Sequence, residues 1–297
     1  MTYRKGDPRV TPRRERPPRR PHAARPIRPV ATQPTSTAGG SHFKLTIEYE
    51  GSRYRGWQEQ SNAMTVQEVI KNALNEILGN EYQMAGAGRT DAGVHALAQV
   101  VSLHSPRAIA PAVLLDELNR RLTKDVNVLK VEPAAPDFHA RHSAVARYYV
   151  YQISLRRTAF AKNYCWWVKQ ALDLGAIDRS LPAFLGLHDY KAFADARMGD
   201  GSTKVQVDDL RVARHGDLLL IRIGASHFLW KMVRRIVGVL VKIGVKEVPA
   251  GLSLSELGRR YAKQIPTWTA PAAGLFLERV CYPGDPPPGE PVPLIAL

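Results

Sequence analysis

The residues with most chemical promise stand together in the run Gly86-Ala87-Gly88-Arg89-Thr90-Asp91-Ala92-Gly93-Val94-His95. Glycines at that density relax the steric limits on the backbone, so a short loop there bends sharply or admits a second backbone or a ligand. A carboxylate on such a loop has two readings: Asp91 caps its own backbone in an ordinary turn, or it is presented for chemistry. Composition does not choose between them. Downstream, Tyr148, Tyr149 and Tyr151 fall in one strand-like run, where alternation puts Tyr149 and Tyr151 on one face and Tyr148 on the other. On residue type alone these are strand packing. His139 with His142, and His95 with His104, raise the question of a metal site, although neither cysteine, Cys165 or Cys281, is near them in sequence.

The elements that must position these groups follow from periodicity. Phe43, Leu45, Ile47 and Tyr49 alternate with polar residues, which predicts a strand with one buried face. After a turn-rich stretch at 51–56, Thr65 and Glu68 form a capping-box pattern. Val66, Val69, Ile70, Ala73, Leu74, Ile77 and Leu78 then repeat at helical spacing up to Gly79. Similar reasoning predicts strands at 99–104 and 126–132 with a helix at 111–122 opened by its proline. A second set holds a strand at 147–155, a helix at 174–185, a hairpin of 204–214 with 218–223, a half-buried helix at 228–244 and a strand at 275–282. The expected fold is α+β: two similar α/β halves, 42–141 and 142–285, with mainly antiparallel sheets, helices on one face and the other face free.

Residues 1–41 are dominated by Pro and Arg and hold almost nothing to bury, so a disordered arm is expected there, and a Pro-rich tail is expected at 286–297. The chain carries 42 basic and 27 acidic residues, a net charge of +15. Ten basic and two acidic side chains lie before Ser41, which leaves +7 on the remainder. A basic body as well as a basic arm favours a polyanionic partner, nucleic acid above all. Two cysteines cannot make a disulfide framework, no apolar run reaches the roughly 18 residues of a membrane span, and a cytoplasmic setting is expected.

The longer string at 88–95, followed by Gln99-Val100-Val101, resembles the signature of the TruA family of tRNA pseudouridine synthases. Flanking segments agree: Tyr49-Glu50-Gly51-Ser52 with Gly56-Trp57-Gln58, Val66-Gln67-Glu68, Asp137-Phe138-His139-Ala140-Arg141, Met232-Val233-Arg234 with Ile236-Val237-Gly238, and Ala270-Pro271-Ala272 with Gly274-Leu275. The resemblance spans about residues 42–284. One departure is visible, Ala98 where the family commonly has glycine, and local repacking is expected there.

The resemblance implies a pseudouridine synthase fold with a basic RNA-binding cleft and an isomerase acting on uridines 38, 39 and 40 of the tRNA anticodon stem-loop. Asp91 is then the catalytic carboxylate, as nucleophile or base. Arg89 helps extrude the target nucleotide and contacts its backbone, and Arg234 pairs with the aspartate. Tyr149 lies against the uracil ring, where its hydroxyl could assist loss of the C5 proton, and Leu275 lines the pocket floor. The partner is tRNA and the assembly a homodimer. No cofactor or metal is expected, because this isomerisation requires neither a Lewis acid nor a redox centre. Two rivals stand beside this reading: a non-catalytic RNA-binding protein on the same fold, and a related synthase acting on other RNA sites.

Overall fold

Alternation and capping account for the first strand and the first helix in the computed structural model, which describes residues 40–198 and 201–295. The arm expected at 1–41 falls outside them except for Gly40 and Ser41, and Ser41 already belongs to the first strand. Strand β1 (Ser41–Tyr49) buries Phe43, Leu45, Ile47 and Tyr49, the alternate residues predicted. Helix α1 (Val66–Leu78) opens on the reciprocal Thr65–Glu68 capping box and ends at Gly79. A four-residue strand β2 (Gln83–Gly86), too short to show a period, follows.

Strand β3 (His95–Ser105) starts four residues before the expected point. Its pairing with β1 explains the difference. Ile47 opposes Gln99 and Tyr49 opposes Ala96, so Leu97 and Ala98 together face one residue, Glu48. That bulge breaks the alternation from which a strand is read, and it falls at Ala98. Helix α2 (Pro111–Arg121) and strand β4 (Val126–Pro133) agree with expectation.

Strand β5 (Ala146–Ser154) carries the tyrosines, with a short β6 (Trp166–Trp167) paired to its end. Helix α3 (Leu174–Ser180) is shorter than predicted. Its continuation, Leu181–Phe184, winds as a 3-10 turn, because Pro182 has no N–H to donate to the preceding helical turn. Strand β7 (Gly186–Asp189) was not foreseen; the hairpin β8 (Lys204–His215) and β9 (Leu218–Ala225) was.

Helix α4 (Met232–Gly244) departs from the predicted 228–244 in two ways. Lys231 has φ 64, a left-handed conformation that breaks the path before Met232, so Phe228–Lys231 form a loop. The helix is also buried nearly all round instead of on one side: Val233, Ile236, Val237, Val239, Leu240, Val241 and Ile243 are all in the core. Helix α5 (Leu254–Tyr261), not foreseen, has its own Ser253–Glu256 capping box, and strand β10 (Leu275–Cys281) closes the order.

All ten strands among the described residues belong to one sheet, whose main path runs β4-β1-β3-β10-β5-β9-β8-β7. Its pairs are antiparallel except β10 with β3 and β5 with β6. The α+β architecture is therefore present, and β10 hydrogen-bonds directly to β3, joining early and late strands. The main core packs α1, α2 and α4 against one face. The opposite face is not left free, contrary to expectation. Val150, Leu218, Leu220 and Phe276 are covered there by Ala161, Cys165, Leu294 and Ile295. The C-terminal segment is strapped down by Leu294 N–H donating to Gln152 Oε1 (2.8 Å) and by buried Arg222, which binds Glu278 and the Gly289 carbonyl.

Candidate active site

The loop carrying Asp91 is fastened at nearly every residue before it. Ala87 N–H donates to the Val100 carbonyl (2.8 Å), and the buried Gln99 amide donates from Nε2 to the Gly88 carbonyl (2.8 Å). Thr90 is buried, its hydroxyl bonded to Tyr49 Oη (2.8 Å) and its carbonyl accepting from Trp57 N–H (3.0 Å). That last bond needs Gly56, which has φ 98 and would drive a Cβ to 2.5 Å from the Thr90 carbonyl oxygen. Beyond the aspartate, Val94 N–H donates to the Asp91 carbonyl (3.1 Å), closing a turn. The ordinary-turn reading therefore describes the backbone of Asp91. Its side chain is engaged elsewhere.

Both carboxylate oxygens have charged or polar donors from the far end of the chain. Arg234, on the first turn of α4, donates from Nη1 to Asp91 Oδ2 (3.0 Å), and Trp230 donates from Nε1 to Oδ1 (2.8 Å). Arg234 is held in turn by its Nε donating to the Ala270 carbonyl (2.7 Å), while Ala270 N–H donates back to the Arg234 carbonyl (3.0 Å). Gly238 makes this crossing possible, since a Cβ there would lie 1.8 Å from the Trp268 carbonyl oxygen. The Asp91 side chain retains 22% exposure and Arg234 retains 16%, so the pair is partly open to solvent.

Tyr149 and Tyr151 share the helix-side core, and Tyr148 lies on the other face with its ring over Gly224. The Tyr149 ring meets Phe228 edge-on with centroids 5.2 Å apart. Burial, and then the nearby Tyr49 and Asp91, push its phenol well above the usual tyrosine range, so the hydroxyl stays neutral. Tyr151 donates to the Pro271 carbonyl (2.8 Å), a packing role. Leu275 is buried opposite Tyr151 in the β10–β5 register. Arg89 is not brought onto the carboxylate. It is exposed and lines a neighbouring groove with Trp57, Gln58, His139, Arg141 and His142.

The histidines have local work. His139 Nδ1 accepts the N–H groups of Arg141 and His142, His95 bonds through both ring nitrogens to Gly51 N–H and the Asn163 carbonyl, and His104 stacks on His42. Sequence reasoning missed Trp230 as a site residue, because its run reads as helix. It also missed the assembly behind it: Asp195 accepts from Arg197 Nε (3.0 Å), pairs with Lys231 Nζ (2.9 Å) and faces Arg235. No sequence signal links Asp195 to that loop.

A mixed sheet with helices on one face, and a carboxylate clamped between a glycine-bordered loop and a late arginine, define an α+β protein with an acid–arginine centre in a basic chain. The chain belongs to the tRNA pseudouridine synthase family: the family model matches residues 45–143 and 181–283. It is 39% identical over 246 residues to the tRNA pseudouridine synthase A of Sinorhizobium medicae, covering 81% of this chain and 99% of that one. The same-named protein of Beijerinckia indica is 40% identical (82% and 94% covered), and that of a Thermoanaerobacter species 35% identical (80% and 98% covered).

Proposed function

We propose that this protein isomerises uridine to pseudouridine in tRNA, at positions 38, 39 and 40 of the anticodon stem-loop, with Asp91 as the catalytic carboxylate. The reaction breaks the bond from uracil N1 to the ribose, turns the base, and joins C5 to the same carbon, with a proton lost from C5 and one gained at N1. A carboxylate serves this as nucleophile or base. The observation that carries the reading is the Asp91–Arg234 pair of 3.0 Å, which leaves 22% of the Asp91 side chain exposed to an extruded nucleotide.

Arg89 takes the role of extruding the nucleotide and meeting its backbone, which suits its exposure beside His139, Arg141 and His142. Tyr149 provides a ring for the uracil. Its neutral phenol favours stacking or donation over action as a base on C5. Leu275 supports the floor beneath it. Asp91 comes from residues 42–141 and Tyr149 and Arg234 from 142–285, and in this reading both halves contribute to the RNA site. The reading also takes the protein as a cytoplasmic homodimer working without cofactor. Among the described residues no helix is long and apolar enough to cross a membrane.

Pseudouridine mapping along tRNA, nucleotide by nucleotide, tests activity and site choice together. Asp91→Asn is expected to fold and bind tRNA like the wild type and to form no product. Substantial product from a pure, folded variant would refute the assignment.

A further inference from the structure

We infer that Trp230 is a positioning residue for Asp91, its indole N–H fixing the plane of the carboxylate that meets the uridine. This rests on the reading of Asp91 as the catalytic group. Arg234 alone does not fix that plane. Its Nε is committed to the Ala270 carbonyl, so it reaches Asp91 through one N–H on Oδ2 and the pair is a single-point contact. A carboxylate held at one oxygen still rotates about its bond to Cβ. The second donor, 2.8 Å from Oδ1, stops that rotation.

The surroundings of Trp230 hold the indole in place. Its carbonyl accepts Asp195 N–H (3.0 Å), and the Arg197 guanidinium lies over its ring at 4.1 Å. Asp195 fixes that guanidinium through Nε (3.0 Å) and Nη2 (3.2 Å), and its other bond, to Lys231 Nζ, anchors the next residue. Lys231 itself adopts φ 64, costly for a side chain with a Cβ, and this takes Trp230 off the path of α4. The competing role is a platform on which an RNA base stacks. An indole whose ring lies under a fixed guanidinium and whose N–H is aimed at the acid fits positioning better.

The test compares steady-state turnover on a tRNA substrate for wild type, Asp91→Asn, Trp230→Phe and Trp230→His. Phenylalanine keeps a ring and removes the donor. Histidine restores one, since its Nε2 is as many bonds from Cβ as the indole Nε1. Trp230→Phe is expected to lower kcat by about tenfold to hundredfold, the effect of losing one hydrogen bond to a charged group, with KM changed less than about threefold. Trp230→His is expected to recover most of that loss. Full kcat in Trp230→Phe, a rise in KM alone, or no rescue by histidine would each overturn the inference. An inactive wild type would sink the parent reading and this one with it, whereas an active wild type beside an inactive Asp91→Asn isolates Trp230.

Discussion

A buried titratable group must keep its own charge under control, and His95, four residues after Asp91 in the sequence, shows how. Its Nδ1 accepts Gly51 N–H (2.9 Å), and its Nε2 faces the Asn163 carbonyl (2.9 Å) and so carries the proton. Glu50 stands 3.4 Å from Nδ1, close enough for an ion pair, but that nitrogen is the acceptor and has no proton to share. Burial pushes the imidazole below its usual 6.5, only partly opposed by Glu50. The sign follows from linkage: the native state refuses a proton that the unfolded chain takes up. Stability from this residue is whole above about pH 6.5 and is lost as pH falls through the depressed folded value, at up to about 1.4 kcal/mol per pH unit. His95→Asn keeps an acceptor for Gly51 and removes the titration. Melting temperatures between pH 8 and pH 5 should fall more steeply for wild type than for the variant; parallel curves would show that His95 titrates normally. His42, His139 and His227 are also lowered, so the difference between the curves is the quantity to read.

Between elements, the Asp91–Arg234 geometry depends on one close crossing. Gly238 lets the 3-10 turn Ile265–Trp268 lie against α4, and that approach brings the Ala270 carbonyl to Arg234. Gly238→Ala would gain roughly 1 kcal/mol of helix propensity. The methyl has no room, because the atom it meets is backbone, and overpacking of this kind costs about 1–3 kcal/mol or more. The variant should therefore unfold at lower denaturant than wild type and lose turnover even where it is fully folded. Equal or greater stability would mean that the turn shifts freely. Nothing in sequence periodicity announces such a crossing, which explains what was and was not legible. Alternation located β1, the run of tyrosines β5, the His215-Gly216-Asp217 turn the β8–β9 hairpin, and the Thr65–Glu68 box α1, because those signals are local. The Ser253–Glu256 box was equally local but opens a helix with only Leu254 and Leu257 buried, too short a stripe to stand out. Asp91, Arg89, Tyr149, Arg234 and Leu275 were selected through a family signature. Trp230 was hidden because one left-handed residue, Lys231, ended a run that by hydrophobicity alone continues.

At the scale of the whole molecule, charge is divided between a folded body of net +7 and an arm that holds the other +8. The two should act differently on RNA. Under the proposed function, contacts from the body are tied to shape, since they present the anticodon stem to Asp91, whereas arginines in a Pro-rich segment neutralise phosphates wherever they reach them. Removing the arm tests this, and the cut has a natural place. Ser41 pairs with Ser105 in the sheet, so a deletion should stop at Ala38 to leave β1 whole. The shortened protein should keep its melting temperature and its kcat, and it should bind tRNA less tightly at low salt. The slope of log affinity against log salt should become shallower by about 0.7–0.9 for each phosphate that the arm no longer neutralises. Binding curves at four or five salt concentrations give that slope directly. An unchanged slope would assign all phosphate neutralisation to the folded body, and a loss of affinity equal at every salt concentration would mean that the arm makes specific contacts instead of electrostatic ones.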